Sequence, residues 1–274
     1  MKFGGSTLGA SDRIAEAARR VAESDPPPSA VVVSAPGELT DTILGLAVGP
    51  PAADSAPLAR ALALGEALGA SLMAAALQAR GVPVRLVLPG EADWPLLARG
   101  DPLRAEIDLD LSRPRARRLL TSDGPIVVLP GFVGIDAGTG EVSTLGRGGS
   151  DTSAVALGRL LGRSEVILVK DVPGVLEADP RLVPEARPLS ELSVEEMDAL
   201  ARGGASVVAA SALAYMSEEI LLRVIAIGEP FDRPTGTVIR ARSRSAPPSS
   251  DSAKEPGPGP DGPGWGLVTA IPKG

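Results

Sequence analysis

The amino-acid sequence predicts an α/β protein, with an open, mostly parallel sheet and helices on both of its faces. Two observations support this fold class. First, short apolar runs rich in β-branched residues alternate with longer helical segments, and polar loops join them. Second, the run at 124–134 is almost continuously apolar, which is typical of a strand buried on both faces of a parallel sheet.

The individual elements follow from these patterns in chain order. A glycine-rich start precedes the first helix, and a hairpin tip is predicted at 136–141. The predicted strands lie at 30–33, 82–88, 124–134, 164–169, 221–227 and 236–239. The predicted helices lie at 12–23, 56–80, 111–119, from the turn at 144–151 to about 161, at 193–202 behind a capping box, and at 205–216.

The composition limits the chemistry that is available. The chain has 274 residues, of which 44% are hydrophobic and 22% are charged, so it can bury a sizeable core. It contains no cysteine and no histidine, which excludes disulfides, thiol nucleophiles, imidazole bases and the usual zinc ligands. Any catalysis must therefore use carboxylates, lysine, arginine, hydroxyls and backbone dipoles.

Charge and hydropathy indicate the environment of the protein. The net charge of −7 argues weakly against nucleic acid as a partner, since such a partner requires a basic surface. No apolar run approaches the roughly 18 residues of a membrane span, and the N-terminus has no basic-then-apolar signal segment. We therefore expect a cytoplasmic protein with no nucleic-acid partner and no membrane partner.

The C-terminal region differs in composition from the rest. After residue 240 the chain becomes rich in Arg, Ser, Pro and Gly, which predicts a disordered linker at 241–264. Residues 265–274 contain one strand-like piece that is too short to fold alone. No fixed-period internal repeat is visible.

The most informative stretch is Thr144-Leu145-Gly146-Arg147-Gly148-Gly149-Ser150-Asp151, which follows an apolar strand and leads into a helix. Glycines let the backbone approach a ligand, and unpaired N–H groups at a helix N-terminus attract anions. Arg147 can clamp a carboxylate or phosphate, while Ser150 and Asp151 add a hydroxyl and a carboxylate. The alternative is a plain turn with a helix cap. We favour a phosphate-binding turn.

Three further places are candidate sites, each with an alternative. Lys2 beside Gly4 and Gly5 can hold an ammonium over a polyphosphate, or it is a residue of no role next to the initiator Met. Glu66 lies on the solvated face of its helix, which is the commoner case, or faces a cationic ligand. The loop at 170–181 follows a buried strand, and ligands bind beyond the carboxyl ends of strands in open sheets.

Several segments, in the same order, resemble the amino acid kinase family and, within it, the aspartokinase catalytic domain. They are Lys2-Phe3-Gly4-Gly5-Ser6-Thr7, the loop at 34–41, Gly65-Glu66, the turn at 144–151, and 171–174 with 179–181. The resemblance covers about residues 1–240. It implies the three-layer α/β/α amino acid kinase fold, with a substrate lobe at about 1–150 and a nucleotide lobe at 151–240.

The resemblance also implies an activity. It is the Mg²⁺-dependent transfer of the γ-phosphoryl group of ATP to the β-carboxylate of L-aspartate, the first step toward lysine, threonine and methionine. A homo-oligomer is implied as well. Phosphoryl transfer needs positioning and cations more than covalent chemistry, so the lack of His and Cys is no obstacle. A related kinase for another acidic amino acid and a catalytically silent paralogue are the alternatives.

The resemblance assigns roles position by position. For catalysis, Lys2 stabilises the transferring phosphoryl group and Asp151 orients Lys2. For the substrate, Arg147 pairs with a carboxylate and Glu66 with the ammonium, assisted by Ser34, Thr40 and Ser150. The residues implied for the nucleotide are Gly4, Gly5, Asp171, Asp179 and Arg181. Lys170, which departs from the family's pattern, is a further candidate for binding it. No protein ligand to a metal is expected, because phosphate oxygens and water hold Mg²⁺.

Departures from the family's pattern carry expectations of their own. Lys2 has only Met1 before it where the family places a central strand, so we expect an upstream start codon or a truncated chain. On the nucleotide side, Leu176, Ser206 and Ala209 replace an aromatic residue, a lysine and a histidine. ATP should therefore bind weakly unless Lys170, where the family commonly has a hydroxyl residue, compensates.

The family's paired regulatory ACT domains have no counterpart in this sequence. We interpret residues 265–274 as a remnant of a first ACT strand. Feedback inhibition by lysine or threonine is therefore expected to be missing.

Overall fold

The computed structural model describes residues 1–47, 55–120, 124–180, 182–205, 207–233 and 235–241. The predicted linker beyond residue 241 and the predicted tail at 265–274 lie outside the described residues. Arg181 and Ser206 lie outside them as well.

The described parts of the chain contain twelve strands and seven α-helices. The strands are β1 (Lys2–Phe3), β2 (Ala30–Val33), β3 (Val84–Leu86), β4 (Leu97–Arg99), β5 (Glu106–Ile107), β6 (Ile126–Pro130), β7 (Val133–Asp136), β8 (Val142–Thr144), β9 (Glu165–Lys170), β10 (Glu191–Ser193), β11 (Leu221–Ala226) and β12 (Thr237–Arg240). The helices are α1 (Ser11–Ala22), α2 (Leu39–Leu46), α3 (Ala56–Gln78), α4 (Leu109–Leu119), α5 (Gly149–Leu160), α6 (Val194–Arg202) and α7 (Ala210–Leu213), and a short 3-10 helix spans Gly5–Leu8.

Eight strands form the main sheet, in the order β10-β12-β11-β9-β1-β2-β6-β3. Every neighbouring pair is parallel except β11 with β12. The side chains of β2 alternate between two hydrophobic clusters, as the period of a strand requires. Val31 and Val33 belong to a cluster that includes residues of α1 and α3, whereas Val32 belongs to a cluster that includes residues of α4, α5 and α6. The predicted α/β class with a mostly parallel sheet and helices on both faces is confirmed.

A second sheet contains four strands, in the order β5-β4-β7-β8. It corrects the expectation of a single strand across 124–134, because that run divides into β6 in the main sheet and β7 in the second sheet. The division falls at Phe132, whose φ of 64° lies in the left-handed region. The N–H of Phe132 donates to Ser153 Oγ at 3.0 Å, which holds the chain in this turn.

Two other predicted elements are shorter than expected, and one is confirmed in detail. The helix predicted at 205–216 is reduced to α7, because Ala209 before it is extended. The strand predicted at 82–88 is reduced to β3. The capping box of α6 is present, since Ser193 and Glu196 each bond the other's backbone N–H.

Helix α3 corrects the expectation that no apolar run approaches the length of a membrane span. Among the described helices it alone is long and apolar enough to cross a membrane, with a mean hydropathy of 1.4. However, half of that stretch is buried inside the fold, and the buried face includes Ala70, Met73 and Leu77. This is the environment of a core helix.

Strand β1 has two residues but lies at the centre of the main sheet, where it pairs with both β2 and β9. The ammonium of Met1 donates to Ala30 O at 2.8 Å. Burial lowers the pKa of this amine to about 5, while Glu165 acts in the opposite direction. A cavity of about 560 Å³ adjoins it, lined by Met1, Glu165, Arg223 and Phe231 among others. An upstream strand segment stays a prediction.

The contact of α3 with β2 depends on Gly69, and it leads to a test. A Cβ atom there would lie 2.2 Å from Ser34 O. We expect Gly69→Ala to lower the free energy of unfolding by roughly 1–3 kcal/mol, because α3 must move away from the sheet. A Cβ atom on Gly45 in α2 would meet no other atom within 4 Å, so Gly45→Ala is the control and should stabilise by about 0.5–1 kcal/mol. Chemical denaturation measures both; equal effects would contradict the close contact.

Candidate active site

The candidate residues gather where three neighbouring parallel strands end. Lys2 lies in β1, Lys170 is the last residue of β9, and Ser34 directly follows β2. The N-terminus of α5, with Ser150 and Asp151, faces this edge of the sheet. Carboxyl ends of parallel strands are the usual ligand sites of open α/β sheets. The topology therefore brings residues from positions 2 to 170 together.

At the centre lies a buried carboxylate between two ammonium groups. Asp151 Oδ1 is 2.8 Å from Lys2 Nζ, and Asp151 Oδ2 accepts a hydrogen bond of 2.7 Å from Lys170 Nζ. The contact with Lys2 is an ion pair without hydrogen-bond geometry. The side chains of Lys2 and Asp151 are each 5% exposed, and that of Lys170 is 16% exposed. The three groups together carry one net positive charge.

Burial and the neighbouring charges act in opposite directions on this cluster. Burial favours the neutral form of Asp151, but Lys2 and Lys170 outweigh it and hold the pKa of Asp151 below its ordinary value. Burial lowers the pKa of the Lys170 ammonium, and the charge of Lys2 lowers it further, against the attraction of Asp151 and Asp171. Asp151 is therefore ionised at neutral pH, and Lys170 holds its proton less firmly than an exposed lysine.

Glycines line the same region and let its segments approach one another closely. Gly4 precedes the 3-10 helix, and a Cβ on it would lie 3.4 Å from Lys2 Nζ. A Cβ on Gly5 would lie 2.7 Å from Ala35 O, so the loops after β1 and β2 touch there. Gly148, with φ 74°, turns the chain into α5. Only glycine combines this conformation with close approach of the backbone.

Glu66 lies beside the cluster and is 3% exposed. The alternative that it lies on the solvated face of its helix is therefore wrong. Ser150 Oγ donates to Glu66 Oε2 at 3.3 Å. Burial raises the pKa of Glu66 to about 7, although the backbone N–H of Ala35, the charge of Lys2 and the Ser150 hydroxyl all lower it. Glu66 is thus a carboxylate that a cationic ligand would ionise fully.

The remaining candidate substrate residues lie on three different segments. Ser34 is buried at the end of β2, and Thr40 is partly exposed in the first turn of α2. Helix α2 packs on α3 at Gly65, where a Cβ would lie 3.0 Å from Ile43 Cδ1. Arg147 is exposed in the turn before α5. Its guanidinium is thus open to a ligand that enters the site from solvent.

The candidate nucleotide residues follow β9. Asp171 is exposed directly after Lys170, and Asp179 is partly exposed further along the loop. Gly174, with φ 146°, lies against Thr237, whose Oγ1 accepts from the N–H of Val175 at 2.8 Å. This contact fixes the start of the loop on β12. In the parts of the chain that the structure describes, no three acidic side chains group together as a metal site.

Sequence reasoning missed several contacts that shape the site. They are the N–H of Ala35 that bonds Glu66, the contact of Gly69 with Ser34, and the contact of Ala209 with Gly148, where an added Cβ would lie 2.2 Å from Ala209 Cβ. The spacing of Gly65 and Gly69 by one helical turn was a usable signal for close packing of α3. The other two contacts join segments far apart in sequence and leave no local pattern.

The fold is that of an α/β protein with a site at the carboxyl ends of its parallel strands. Glycine turns, a helix N-terminus and two ammonium groups meet there, and this combination suits an anionic ligand. Residues 1–226 match the family model described as the amino acid kinase family, and the chain belongs to that family. The predicted amino acid kinase fold is thereby confirmed.

Within the family, two aspartokinases are similar in sequence to this chain. The aspartokinase of Corynebacterium efficiens is 37% identical over 220 residues, which are 78% of this chain and 51% of that protein. The aspartokinase of Mycolicibacterium smegmatis is 33% identical over 249 residues, covering 90% and 58%. The chain thus spans about half the length of these relatives.

Two solved structures have a fold similar to that of this chain. Aspartate kinase from Synechocystis superposes with a TM-score of 0.71 at 33% identity, over 90% of this chain and 40% of that one. E. coli aspartokinase III, solved in complex with aspartate and ADP, superposes with a TM-score of 0.78 over 89% of this chain and 64% of that one. At 23% identity the latter supports the fold alone.

Proposed function

We propose that this protein transfers the γ-phosphoryl group of ATP to the β-carboxylate of L-aspartate and releases ADP and 4-phospho-L-aspartate. The observation that carries the proposal is the enclosed Lys2–Asp151–Lys170 cluster with Glu66 beside it. The cluster offers positive charge to a phosphoryl group, and Glu66 offers negative charge to an amino group. The aspartokinases of similar sequence support the choice of aspartate.

The described residues fit a polyphosphate. Lys2, Asp151 and Lys170 together carry one net positive charge, and the glycines at 4 and 5 add no side chain beside Lys2. The positive end of the α5 dipole adds to the attraction. Mg²⁺, when bound with ATP, would neutralise phosphate charge through phosphate oxygens and water, which is its usual habit in such sites. Asp171 and Asp179 are two carboxylates in the loop that follows β9.

Chemically, the reaction breaks the bond between the γ-phosphorus and its bridging oxygen and forms a bond from that phosphorus to a carboxylate oxygen. An aspartate side chain has a pKa of about 3.9, so it is already ionised and needs no general base. The absence of histidine is therefore no obstacle. Lys2 neutralises charge that spreads over the phosphoryl oxygens, which is the main demand of such a transition state. Asp151 holds Lys2 in place and does not accept a proton.

Other groups of the site bind the α-ammonium and the α-carboxylate of the substrate, away from the carboxylate that is phosphorylated. We assign Glu66 to the α-ammonium of aspartate and Arg147 to its α-carboxylate, with Ser34, Thr40 and Ser150 as further hydrogen-bonding groups. Gly4 and Gly5 approach the phosphates, while Asp171, Asp179 and Arg181 bind the nucleotide. Paired recognition of both α-groups favours an amino acid over an acylated or nucleotide substrate.

Pathway, assembly and location are also part of the proposal. The product is an acyl phosphate that feeds lysine, threonine and methionine synthesis, and the protein works in the cytoplasm as a homo-oligomer. We expect lysine and threonine to leave the rate of this 274-residue chain unchanged. A lysine-sensitive rate in the purified protein would contradict that expectation.

The direct test is formation of aspartyl hydroxamate with ATP, Mg²⁺ and hydroxylamine, which traps acyl phosphates. We expect product with L-aspartate and little with L-glutamate. Arg147→Ala should raise the KM for aspartate, whereas Arg163→Ala, two residues before the start of β9, should not. Product with L-glutamate instead would favour a related kinase. No product with either, together with retained aspartate binding, would favour the silent paralogue.

A further inference from the structure

We propose that Lys170 is a second phosphate-binding cation of this site, which holds the polyphosphate of the nucleotide while Lys2 serves the transferred phosphoryl group. The identity of the nucleotide rests on the proposed function. The division between the two lysines rests on the geometry of Lys2, Asp151 and Lys170.

The first argument is charge balance. One ammonium is enough to neutralise Asp151, and Lys2 supplies it at 2.8 Å. Lys170 adds a second at 2.7 Å, so these three groups keep one positive charge in a largely enclosed place, which Glu66 and the exposed Asp171 offset only in part. An uncompensated buried charge is costly unless a partner of opposite charge arrives. The cluster is therefore completed by an anion rather than by a neutral ligand.

The second argument is unused hydrogen-bonding capacity. An ammonium has three N–H donors, and among the described residues Asp151 Oδ2 is the one acceptor that Lys170 Nζ reaches. Two of its donors thus remain for a ligand. Phosphate oxygens accept such charge-assisted bonds strongly. The depressed pKa of Lys170, which burial and Lys2 cause, would be partly relieved by a phosphate beside it.

The third argument is access. The Lys170 side chain is 16% exposed and that of Lys2 5%, so an entering ligand meets Lys170 first. Lys170 ends β9, and the exposed Asp171 and the loop to Asp179 follow it. Lys2, on the neighbouring strand β1, lies nearer the glycine turn at Gly4 and Gly5. Lys170 therefore faces the nucleotide side of the cluster.

The test compares nucleotides by calorimetric titration in wild-type protein and Lys170→Met. Loss of charge-assisted hydrogen bonds predicts a roughly 10- to 100-fold weaker Kd for ATP and for inorganic tripolyphosphate. Adenosine and L-aspartate should bind within about threefold of wild type, because neither presents phosphate at Lys170. Lys170→Arg keeps the cation and should restore most of the affinity. Arg163→Met removes a positive charge from the opposite end of the same strand region and should change nothing.

Several outcomes would overturn the inference. Unchanged or tighter ATP binding in Lys170→Met would show that Lys170 is only a counter-ion of Asp151. An equal loss for ATP, adenosine and aspartate, with a lower melting temperature, would show a structural role. Absence of both ATP and tripolyphosphate binding in the wild type would also refute it. Wild-type protein that binds ATP through Lys170 but forms no hydroxamate would instead refute the proposed function and leave the inference standing.

Discussion

Asp151→Asn is expected to abolish phosphoryl transfer and to lower the free energy of unfolding at neutral pH by about 3–5 kcal/mol. The carboxylate is the shared partner of the two buried ammonium groups of Lys2 and Lys170. A neutral amide leaves both charges uncompensated, and they repel each other. Lys2 then loses its fixed position, so the loss of activity exceeds what reduced stability alone explains. Hydroxamate formation and urea denaturation measure the two effects.

An exposed ion pair provides the matched control for this substitution. Asp198 Oδ2 lies 2.6 Å from Arg202 Nε on the surface of α6, and Asp198→Asn should cost less than about 1 kcal/mol. The folded-state pKa of Asp151 is lowered, so its stabilisation is present at neutral pH and is lost as the pH falls through that value. The free energy of unfolding of Asp151→Asn should therefore depend less on pH in the acid range than that of wild type. A variant that is as stable as Asp198→Asn would refute the charge argument.

Glu66→Gln is expected to stabilise the protein above neutral pH while it removes aspartate binding. The pKa of Glu66 is about 7 in the folded protein, against an ordinary value of 4.5. The native state therefore binds this proton more tightly, and stability falls as the pH rises from 4.5 to about 7. Such a shift corresponds to about 3 kcal/mol. Glutamine has no charge to bury, so the variant escapes this loss but no longer attracts an ammonium.

Melting temperatures from about pH 5 to pH 8 test the stability effect. The variant and wild type should melt alike at the acid end, and the variant should melt higher at the alkaline end. In wild type, aspartate affinity should increase through about pH 7 as Glu66 ionises, and the variant should show no such increase. A difference in melting temperature between variant and wild type that is the same at every pH would contradict a buried Glu66 that binds a proton in the folded state. Glu16→Gln, at a partly exposed position in α1, serves as the surface control.

Local sequence patterns predicted much of the fold and of the candidate site. The motif at 144–151 and the glycines after Lys2 indicated ligand loops, and the structure brings them to one edge of the sheet. Other features depended on contacts distant in sequence. The environment of Glu66 is set by how closely α3 packs on β2, and the pairing of Lys170 with Asp151 is set by sheet order. Neither is visible in a window of neighbouring residues.

Some elements gave no usable signal at all. The strands β4 and β5 have three and two residues, which is too short to show the period of a strand. The break between β6 and β7 falls at Phe132, and a positive φ is uncommon for a bulky residue. An apolar run that crosses such a turn looks continuous in sequence. The second sheet was missed for both reasons.

The position of Met1 has a practical consequence for anyone who expresses this protein. Its amine is buried in the middle of the main sheet beside the cavity formed with Glu165, Arg223 and Phe231. An affinity tag fused in front of Met1 must therefore pass between β2 and β9 before it reaches solvent. Such a tag replaces a buried ionisable amine with an amide and is able to change stability by itself.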